Sequence, residues 1–302
     1  MSNGIINLDS IDAYNKVYGF TTRHPLVTVV DLKEATQLAN HVRMNYGLYA
    51  LFLKNGVNCT IKYGRKTYDY QEGTIVSFSP GQVIDVEVPE GEISADVIGL
   101  LFHPDLIYGT PLGEKISSFN FFDYSQMEAL HLSERERKIF LDCLDKINTE
   151  LDYPVDAHSA SVLSANIQLL LEYLHRFYDR QFITRHKVNS EIVARFERQL
   201  KEYYDTGKCS DGLPSVAEFA EKANLTPKYF SDLVKRETGM TPKTLIMRRM
   251  IDVAKHRLAV SSDDVSIIAY DLGFQYPAHF TRMFKRATGQ SPTDYRRQIE
   301  QN

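Results

Sequence analysis

The sequence has few cysteines and no long apolar run, and each absence excludes a class of protein. Its three cysteines, Cys59, Cys143 and Cys209, lie far apart and form no CxxC pair, which argues against a disulfide framework or a zinc site. No run of about eighteen apolar residues occurs, so no membrane span is predicted. Met1-Ser2-Asn3-Gly4 lacks the basic and apolar regions of a secretory signal. These features predict a cytoplasmic protein with no membrane partner.

Motifs typical of enzymes are missing as well. The sequence contains no Walker loop, no GxGxxG and no GxSxG, which are local signatures of nucleotide binding and of serine hydrolases. His24, His41 and His103 are solitary in the first part of the chain and form no HxH pair, the usual start of a metal site on adjacent strands. We therefore expect no enzyme activity, no metal and no other cofactor.

Charge is distributed unevenly along the chain. The formal net charge is −4. Residues 210–302 contain 14 Lys and Arg against 11 Asp and Glu, a net charge of +3, which leaves −7 for residues 1–209. A basic segment on an acidic protein fits a nucleic-acid contact that is made by one part of the chain.

Residues 25–103 have the pattern of an antiparallel β domain. Short runs rich in Val, Ile, Tyr and Phe alternate with turn residues about every ten residues, which is typical of a sandwich or barrel. Asn55-Gly56 is the strongest hairpin signal, because both residues tolerate a positive φ. Such a barrel either encloses a small molecule or has a solid core that serves only as a dimer scaffold. The aromatic residues considered as interior liners are Tyr49, Phe52, Tyr63, Tyr68 and Tyr70.

From Ser133 the apolar period changes to that of helices. Ser133 and Glu136 form a predicted capping box at the start of one helix. Residues 161–177 predict a second, leucine-rich helix, whose apolar side suits packing against another helix. A polar, basic stretch at residues 179–188 is interpreted as a linker, and a further helix is predicted over residues 192–204.

The strongest signal is a repeat at a spacing of fifty residues. Residues 229–239, followed by Met240-Thr241-Pro242, closely match residues 279–289, followed by Gln290-Ser291-Pro292. The shared residues are apolar positions, a Lys-Arg pair and a Thr-Gly helix stop. A repeat of this kind predicts two copies of one small helical module.

Each copy has the signals of a helix-turn-helix. A short helix capped at Ser215 or Asp264 precedes a tight turn, and a second helix opens with Pro227 or Pro277. A short helix, a turn and a second helix with an exposed polar face constitute this motif. Residues 242–260 predict one continuous helix between the copies. Because major-groove faces of B-DNA recur about every 34 Å, two motifs on one rigid helix can read adjacent segments of the groove.

The exposed face of the second helix in each motif supplies the candidate DNA contacts. In the major groove, arginine reads guanine and glutamine reads adenine through paired hydrogen bonds. The base-facing candidates are Lys228, Tyr229, Ser231 and Asp232 in the first motif, and Gln275, Ala278, His279, Thr281 and Arg282 in the second. The candidates for contacts with the DNA backbone are Lys235, Lys285 and Arg286. Because the two faces differ, each subunit is predicted to read an asymmetric site on double-stranded DNA.

The second motif and the residues after it resemble the AraC/XylS family of bacterial transcription regulators. The resemblance rests on residues 267–274 (IIAYDLGF), 279–289 (HFTRMFKRATG) and 291–296 (SPTDYR), and it covers about 90 residues. The first motif matches less fully, with Leu225 where the second has Gly-Phe. One departure is His279, where the family most often carries Tyr.

The resemblance implies two domains and a regulatory function. The expected fold is a mainly-β cupin-like barrel followed by helices over residues 1–180, which senses a ligand or forms a dimer. A linker and lead-in helix over residues 181–209 leads to an all-α double helix-turn-helix domain, joined by a long helix, over residues 210–302. We expect a sequence-specific DNA-binding transcription regulator that forms a homodimer, and the resemblance allows a small-molecule effector and an activating contact with RNA polymerase. The alternative is a small-molecule-binding cupin-type protein or enzyme whose helical tail makes protein contacts.

Overall fold

The chain folds into a β-rich unit followed by a helical unit. The computed structural model describes residues 5–37, 39, 42–54, 60–63, 66–68, 73–87, 96–125, 128–184, 186–205 and 212–300. Its two units comprise residues 1–184 and residues 185–302. The prediction of a β-rich N-terminal part and a helical C-terminal part is confirmed, whereas the finer domain boundaries stay predictions.

The strands of the first unit form two sheets of five strands each. In chain order the strands are β1 (Ile5–Leu8), β2 (Val27–Asp31), β3 (Val42–Tyr46), β4 (Tyr49–Lys54), β5 (Thr60–Tyr63), β6 (Lys66–Tyr68), β7 (Thr74–Phe78), β8 (Gln82–Glu87), β9 (Val97–Phe102) and β10 (Leu130–His131). One sheet has the order β1-β3-β8-β5-β6, in which β1 and β3 are parallel. The other has the order β10-β7-β4-β9-β2 and is antiparallel.

Strands that follow each other in the chain mostly lie in different sheets. On either side of Asn55-Gly56, β4 pairs with β7 and β9, whereas β5 pairs with β6 and β8. The hairpin predicted at Asn55-Gly56 lies outside the described residues, and the described strands on either side of it, β4 and β5, belong to different sheets. Among the described residues no strand pairing joins the sheets, so a closed barrel is not confirmed.

One core connects both sheets with helix α1 (Ile11–Tyr18). The rings of Tyr14 and Tyr18 in α1 lie 4.9 Å apart, and Tyr14 lies 6.4 Å from Phe52 of β4. Tyr46 of β3 and Phe78 of β7 are 5.6 Å apart. Removal from water raises the pKa of the Tyr14 and Tyr46 hydroxyls well above their usual value. The described part of this interior is packed with aromatic rings, which favours the interpretation of a solid core.

The aromatic residues considered as liners have different environments. Phe52 belongs to the core just described. Tyr49 instead stacks on Phe102, at 5.0 Å between ring centroids. The side chains of Tyr63 and Tyr68, and all of Tyr70, lie outside what the structure describes.

Three helices complete the first unit: α2 (Pro111–Lys115), α3 (Glu134–Glu150) and α4 (Ser159–Thr184). Ser133 and Glu136 form the predicted capping box of α3. The predicted packing of the leucine-rich helix is also confirmed, since α4 packs against α3. The residues of α4 that are at most 1% exposed are Leu163, Ile167, Leu170, Leu171 and Leu174. This side of α4 is therefore used inside the unit.

Helix structure replaces most of the stretch interpreted as a linker. Helix α4 continues to Thr184, and α5 (His186–Asp205) begins after one further residue. Gln181, only 2% exposed, donates from Nε2 to the Ala129 carbonyl (3.1 Å) and accepts the His131 N–H (2.8 Å). Phe182 is buried as well. The polar composition of residues 179–188 does not indicate a helix, because a buried, hydrogen-bonded glutamine and a solvated one cannot be distinguished in the sequence.

Six helices follow α5 in the second unit. They are α6 (Val216–Lys222), α7 (Pro227–Thr238), α8 (Pro242–Val260), α9 (Val265–Asp271), α10 (Pro277–Thr288) and α11 (Pro292–Glu300). Over the described residues, no helix has both the length and the apolar character needed to cross a membrane.

Candidate nucleic-acid interface

Two helix-turn-helix motifs lie where the sequence predicts them, α6 with α7 and α9 with α10. In the first, Ser215 starts α6 with a capping box, and the Thr226 hydroxyl accepts the Tyr229 N–H (3.2 Å) at the start of α7. In the second, Asp264 and Tyr276 occupy the cap positions, but neither side chain makes a capping hydrogen bond. Proline in the first turn of α7 and of α10 presets the helical φ in both motifs.

The two turns share their closing hydrogen bond and differ by one residue. The Leu225 N–H donates to the Ala220 carbonyl (2.9 Å), and the Phe274 N–H donates to the Ala269 carbonyl (3.0 Å). The left-handed position is taken by Asn224 (φ 57°) in the first turn and by Gly273 (φ 90°) in the second. The closing hydrogen bond is therefore the same in both motifs, and the extra residue of the second turn lies after it, before Pro277.

The second helices of the two motifs, α7 and α10, also end alike. Gly239 (φ 73°) and Gly289 (φ 85°) are left-handed, and their N–H groups donate to the Lys235 and Lys285 carbonyls, both at 2.8 Å. Each helix has 12 residues. The repeat in the sequence thus encodes two recognition helices of equal length and equal boundaries.

Valine at Gly289 is expected to lower the free energy of unfolding by about 1–2 kcal/mol, because a β-branched residue is strained at positive φ. An added Cβ would meet no atom within 4 Å, so the cost is one of backbone conformation alone. The measurement is urea unfolding of the full chain followed by circular dichroism. Gly289→Asn is the control and should cost less, since asparagine tolerates this conformation. Unchanged stability in Gly289→Val would refute the role of this glycine as helix stop.

Helix α5 completes the core of the first motif. Phe196 of α5 is 2% exposed, and its ring lies 4.9 Å from that of Phe219 in α6 and 5.3 Å from that of Phe230 in α7. In the second motif the equivalent cluster uses Phe280, which lies 5.7 Å from Phe284. The sequence predicts α5 only as a lead-in helix, whereas in the structure its Phe196 packs on both helices of the first motif.

Helix α8 connects the motifs without interruption. At a rise of about 1.5 Å per residue, its 19 residues span about 28 Å. Arg257 of α8 forms an ion pair with Asp271 at the end of α9 (2.7 Å), and Nε of Arg296 in α11 donates to the Leu258 carbonyl (3.3 Å). These bonds fix the second motif to the connecting helix.

Helix α10 presents an exposed, basic face. Arg282, Lys285 and Arg286 are exposed, and α10 contains no Asp or Glu. None of these three side chains bonds to another described residue. Of the other candidates, Thr281 is half-buried, whereas Gln275, Ala278 and His279 are exposed. Free cationic and polar side chains on one helix face are what phosphate and base-edge contacts require.

Helix α7 has a weaker polar face, and one candidate on it is corrected. Lys228 and Lys235 are exposed, whereas Ser231 and Asp232 are half-buried. The Ser231 hydroxyl donates to the Pro227 carbonyl (2.7 Å), so its proton is already used within the helix. The remaining candidate, Tyr229, is 4% exposed and cannot reach a base. The buried face of α7 consists of two adjacent pairs, Tyr229-Phe230 and Leu233-Val234. The sequence pattern assigned Tyr229 to the exposed face, whereas it lies at the border of the buried one.

Tyr276 is a surface aromatic residue that the sequence analysis overlooked. It is 63% exposed, and its ring lies 5.6 Å from that of His279. In the sequence, its position before Pro277 indicates only where α10 begins. The two rings are tilted by 55° to each other and add an exposed aromatic pair beside the basic face of α10.

Comparison with known sequences bears on the helical part of the chain. A family model described as a helix-turn-helix domain matches residues 219–298. The HTH-type transcriptional activator RhaS of Yersinia pestis (strain Pestoides F) is 38% identical over 82 residues, which are 27% of this chain and 30% of that protein. The match thus covers less than a third of the length of such curated relatives.

Two solved domains are each similar to somewhat more than a third of this chain. The C-terminal domain of AraT, a response regulator from Geobacillus stearothermophilus, is 26% identical with a TM-score of 0.32, and covers 35% of this chain and 84% of its own. The DNA-binding domain of AdpA, a global transcriptional factor solved in complex with a target DNA, is 23% identical with a TM-score of 0.31. That comparison covers 37% of this chain and 93% of the AdpA chain.

Proposed function

We propose that this chain, whose helical C-terminal part belongs to the AraC/XylS family, is a sequence-specific DNA-binding regulator of transcription. The observation that carries the proposal is the pair of matched recognition helices, α7 and α10, on the single connecting helix α8. The relative RhaS, named a transcriptional activator, supports the same function. Activation through a contact with RNA polymerase is part of this proposal.

The two recognition helices have different tasks in the proposal. Helix α10 carries three cationic side chains and no acidic one, whereas α7 carries three cationic and two acidic ones. Residues 185–302 contain 20 Lys and Arg against 15 Asp and Glu, a net charge of +5, which leaves −9 for residues 1–184. An excess of positive charge in the helical unit attracts DNA to it. We infer that α10 makes the stronger contact and α7 the weaker, so that the DNA site is asymmetric.

The test is selection of a preferred duplex from a random library by the full chain, followed by titration at several salt concentrations. The selected duplex should bind about a thousandfold or more tighter than a scrambled one. The logarithm of the binding constant should fall linearly with the logarithm of salt concentration. Absence of any preferred duplex would contradict the proposal and favour the alternative, in which the helical part makes protein contacts.

For the β-rich unit we propose a cupin-like role in homodimer formation and ligand sensing, in which the ligand binds outside the packed aromatic core. Helix α4 uses its leucine-rich side inside the unit, so that side is not available to a second copy. Its opposite side leaves Val162 and Leu169, seven residues apart, 39% and 41% exposed. Positions i and i+7 lie on one helix face. We therefore propose that the dimer contact is made by Val162 and Leu169, on the side of α4 opposite its leucine-rich side.

Leu169→Asp is expected to weaken dimerisation about tenfold or more, because a carboxylate replaces an apolar contact in the middle of the proposed interface. Sedimentation of the full chain over a concentration series measures this. Val155→Asp is the control, since Val155 is 61% exposed and lies before α4. If both variants sediment like the unaltered chain, the α4 interface is wrong.

A further inference from the structure

A cavity of about 500 Å³ lies between strand β2 and helix α3 in the β-rich unit. Strand β2 is at the edge of its sheet and pairs with β9 on one side. Four consecutive residues of β2, 28–31, line the cavity together with residues of α3. Side chains of a strand alternate between the two faces of the sheet. Because four consecutive residues line the cavity, it lies along the edge of β2 and not over one face of the sheet. The cavity is thus distinct from the predicted barrel interior.

The lining combines an apolar wall with three carboxylates. The wall includes Val29, Ile98, Leu141 and Leu144, and the carboxylates are Asp31, Glu34 and Asp145. None of these carboxylates forms an ion pair with a residue that the structure describes. Asp31 accepts one backbone N–H, from Lys33 (2.9 Å). The cavity lining therefore contains three carboxylates and one cationic side chain, Arg23, beside an apolar surface.

The cationic side chains at or near the cavity are paired with other groups than its three carboxylates. Arg23, which also lines the cavity, forms an ion pair with Asp152 (2.8 Å) and donates to Oδ1 of Asn148. Lys33 forms an ion pair with Asp96 (2.8 Å). Since the unit as a whole carries a net charge of −9, its field also attracts cations rather than anions.

Thr28 adds a hydroxyl group to the cavity wall. Thr28 lines the cavity, and its hydroxyl makes no hydrogen bond with any residue in the described parts of the chain. The hydroxyl oxygen can therefore accept a hydrogen bond from a ligand in the cavity.

We propose that this cavity binds a small organic cation, a primary amine with a short apolar body. An ammonium group has three hydrogen-bond donors and no acceptor, which matches the carboxylates and the acceptor capacity of Thr28. The apolar body covers Leu141 and Leu144. An anion of the same shape would meet three carboxylates, and a fully polar cation would leave the wall uncovered. Binding stands on the cavity alone, whereas a role of the amine as effector rests on the proposed function.

The experiment is calorimetric titration of the full chain with three probes of one shape and different charge: 2-phenylethylamine, 2-phenylethanol and 3-phenylpropionate. The amine should bind, the alcohol should bind about tenfold more weakly, and the carboxylate should not bind, because charge attraction at a partly exposed site is modest. No binding of the amine, or equal binding of amine and alcohol, would overturn the proposal.

A matched pair of variants on α3 assigns the site. Asp145→Asn should weaken binding of the amine about fivefold and leave binding of the alcohol unchanged. Asp142→Asn, an exposed position on the same helix that does not line the cavity, should leave both unchanged. Equal weakening by the two variants would mean general attraction to an acidic surface and would overturn the assignment of the site.

Titration of the selected DNA duplex with and without the amine separates the two proposals. A change in DNA affinity on addition of the amine, absent in Asp145→Asn, supports the role as effector. Amine binding without any change in DNA affinity rejects that role. Amine binding in a chain that shows no preference among duplexes contradicts the proposed function and not the site, and a DNA-specific chain that fails to bind the amine contradicts the site alone.

Discussion

Replacement of Phe196 by alanine is expected to destabilise the first helix-turn-helix motif by about 3–5 kcal/mol, the cost of removing a large buried aromatic side chain. The ring of Phe196 packs edge-to-face on both Phe219 and Phe230, and all three residues are at most 2% exposed. The variant should therefore lose α7 as a recognition helix.

Hydrogen exchange of the full chain, resolved by peptide, measures this effect. Amides of residues 229–239 should exchange more than about a hundredfold faster in Phe196→Ala, while those of residues 279–289 change much less. Phe284→Ala, with a fully buried ring in the second motif, is the control and should give the opposite pattern. Unchanged protection of residues 229–239 would show that α5 does not hold the first motif.

The same contact sets the smallest fragment that we expect to fold. The family model begins at residue 219, and the predicted DNA-binding domain begins at residue 210. Neither range includes Phe196. A fragment that starts at residue 186 keeps α5 and should bind the selected duplex, whereas one that starts at residue 212 exposes Phe219 and Phe230 to water. Binding studies of this protein therefore need α5.

Features that depend on neighbours in sequence could be predicted from the sequence. The capping box at Ser215, the prolines that open α7 and α10, and the left-handed stops at Gly239 and Gly289 follow from interactions within a few residues. The fifty-residue repeat is therefore read directly as two motifs.

Features that depend on distant parts of the chain could not be predicted. Turn residues such as Asn55-Gly56 indicate a change of direction, but they do not determine which sheet the chain enters next. The burial of Tyr229 depends on the width of the packed face of α7, and the role of Phe196 depends on helices more than twenty residues away. The cavity along β2 forms only because α3, which is distant in the sequence, packs near the edge of the sheet. Sequence periodicity carries none of this information.

Arg282→Ala is expected to cost about 1–3 kcal/mol in binding of the selected duplex and to relax the preference at one base position. Arg282 is exposed on the face of α10, and its guanidinium has no partner among the described residues. It is therefore free to bind O6 and N7 of one guanine. Removal of a base contact weakens binding to the selected sequence and spares sequences that lack that base.

Arg286→Ala is the matched control, because it removes the same side chain from an exposed position one turn further along α10. As a predicted phosphate contact, Arg286 should weaken binding to all sequences alike and reduce the slope of the salt dependence by about one. Competition titrations of both variants against a panel of single-base changes distinguish the two effects. If Arg282→Ala weakens every duplex equally, Arg282 binds a phosphate, and the reading of sequence by α10 must come from its exposed neighbours Gln275 and His279.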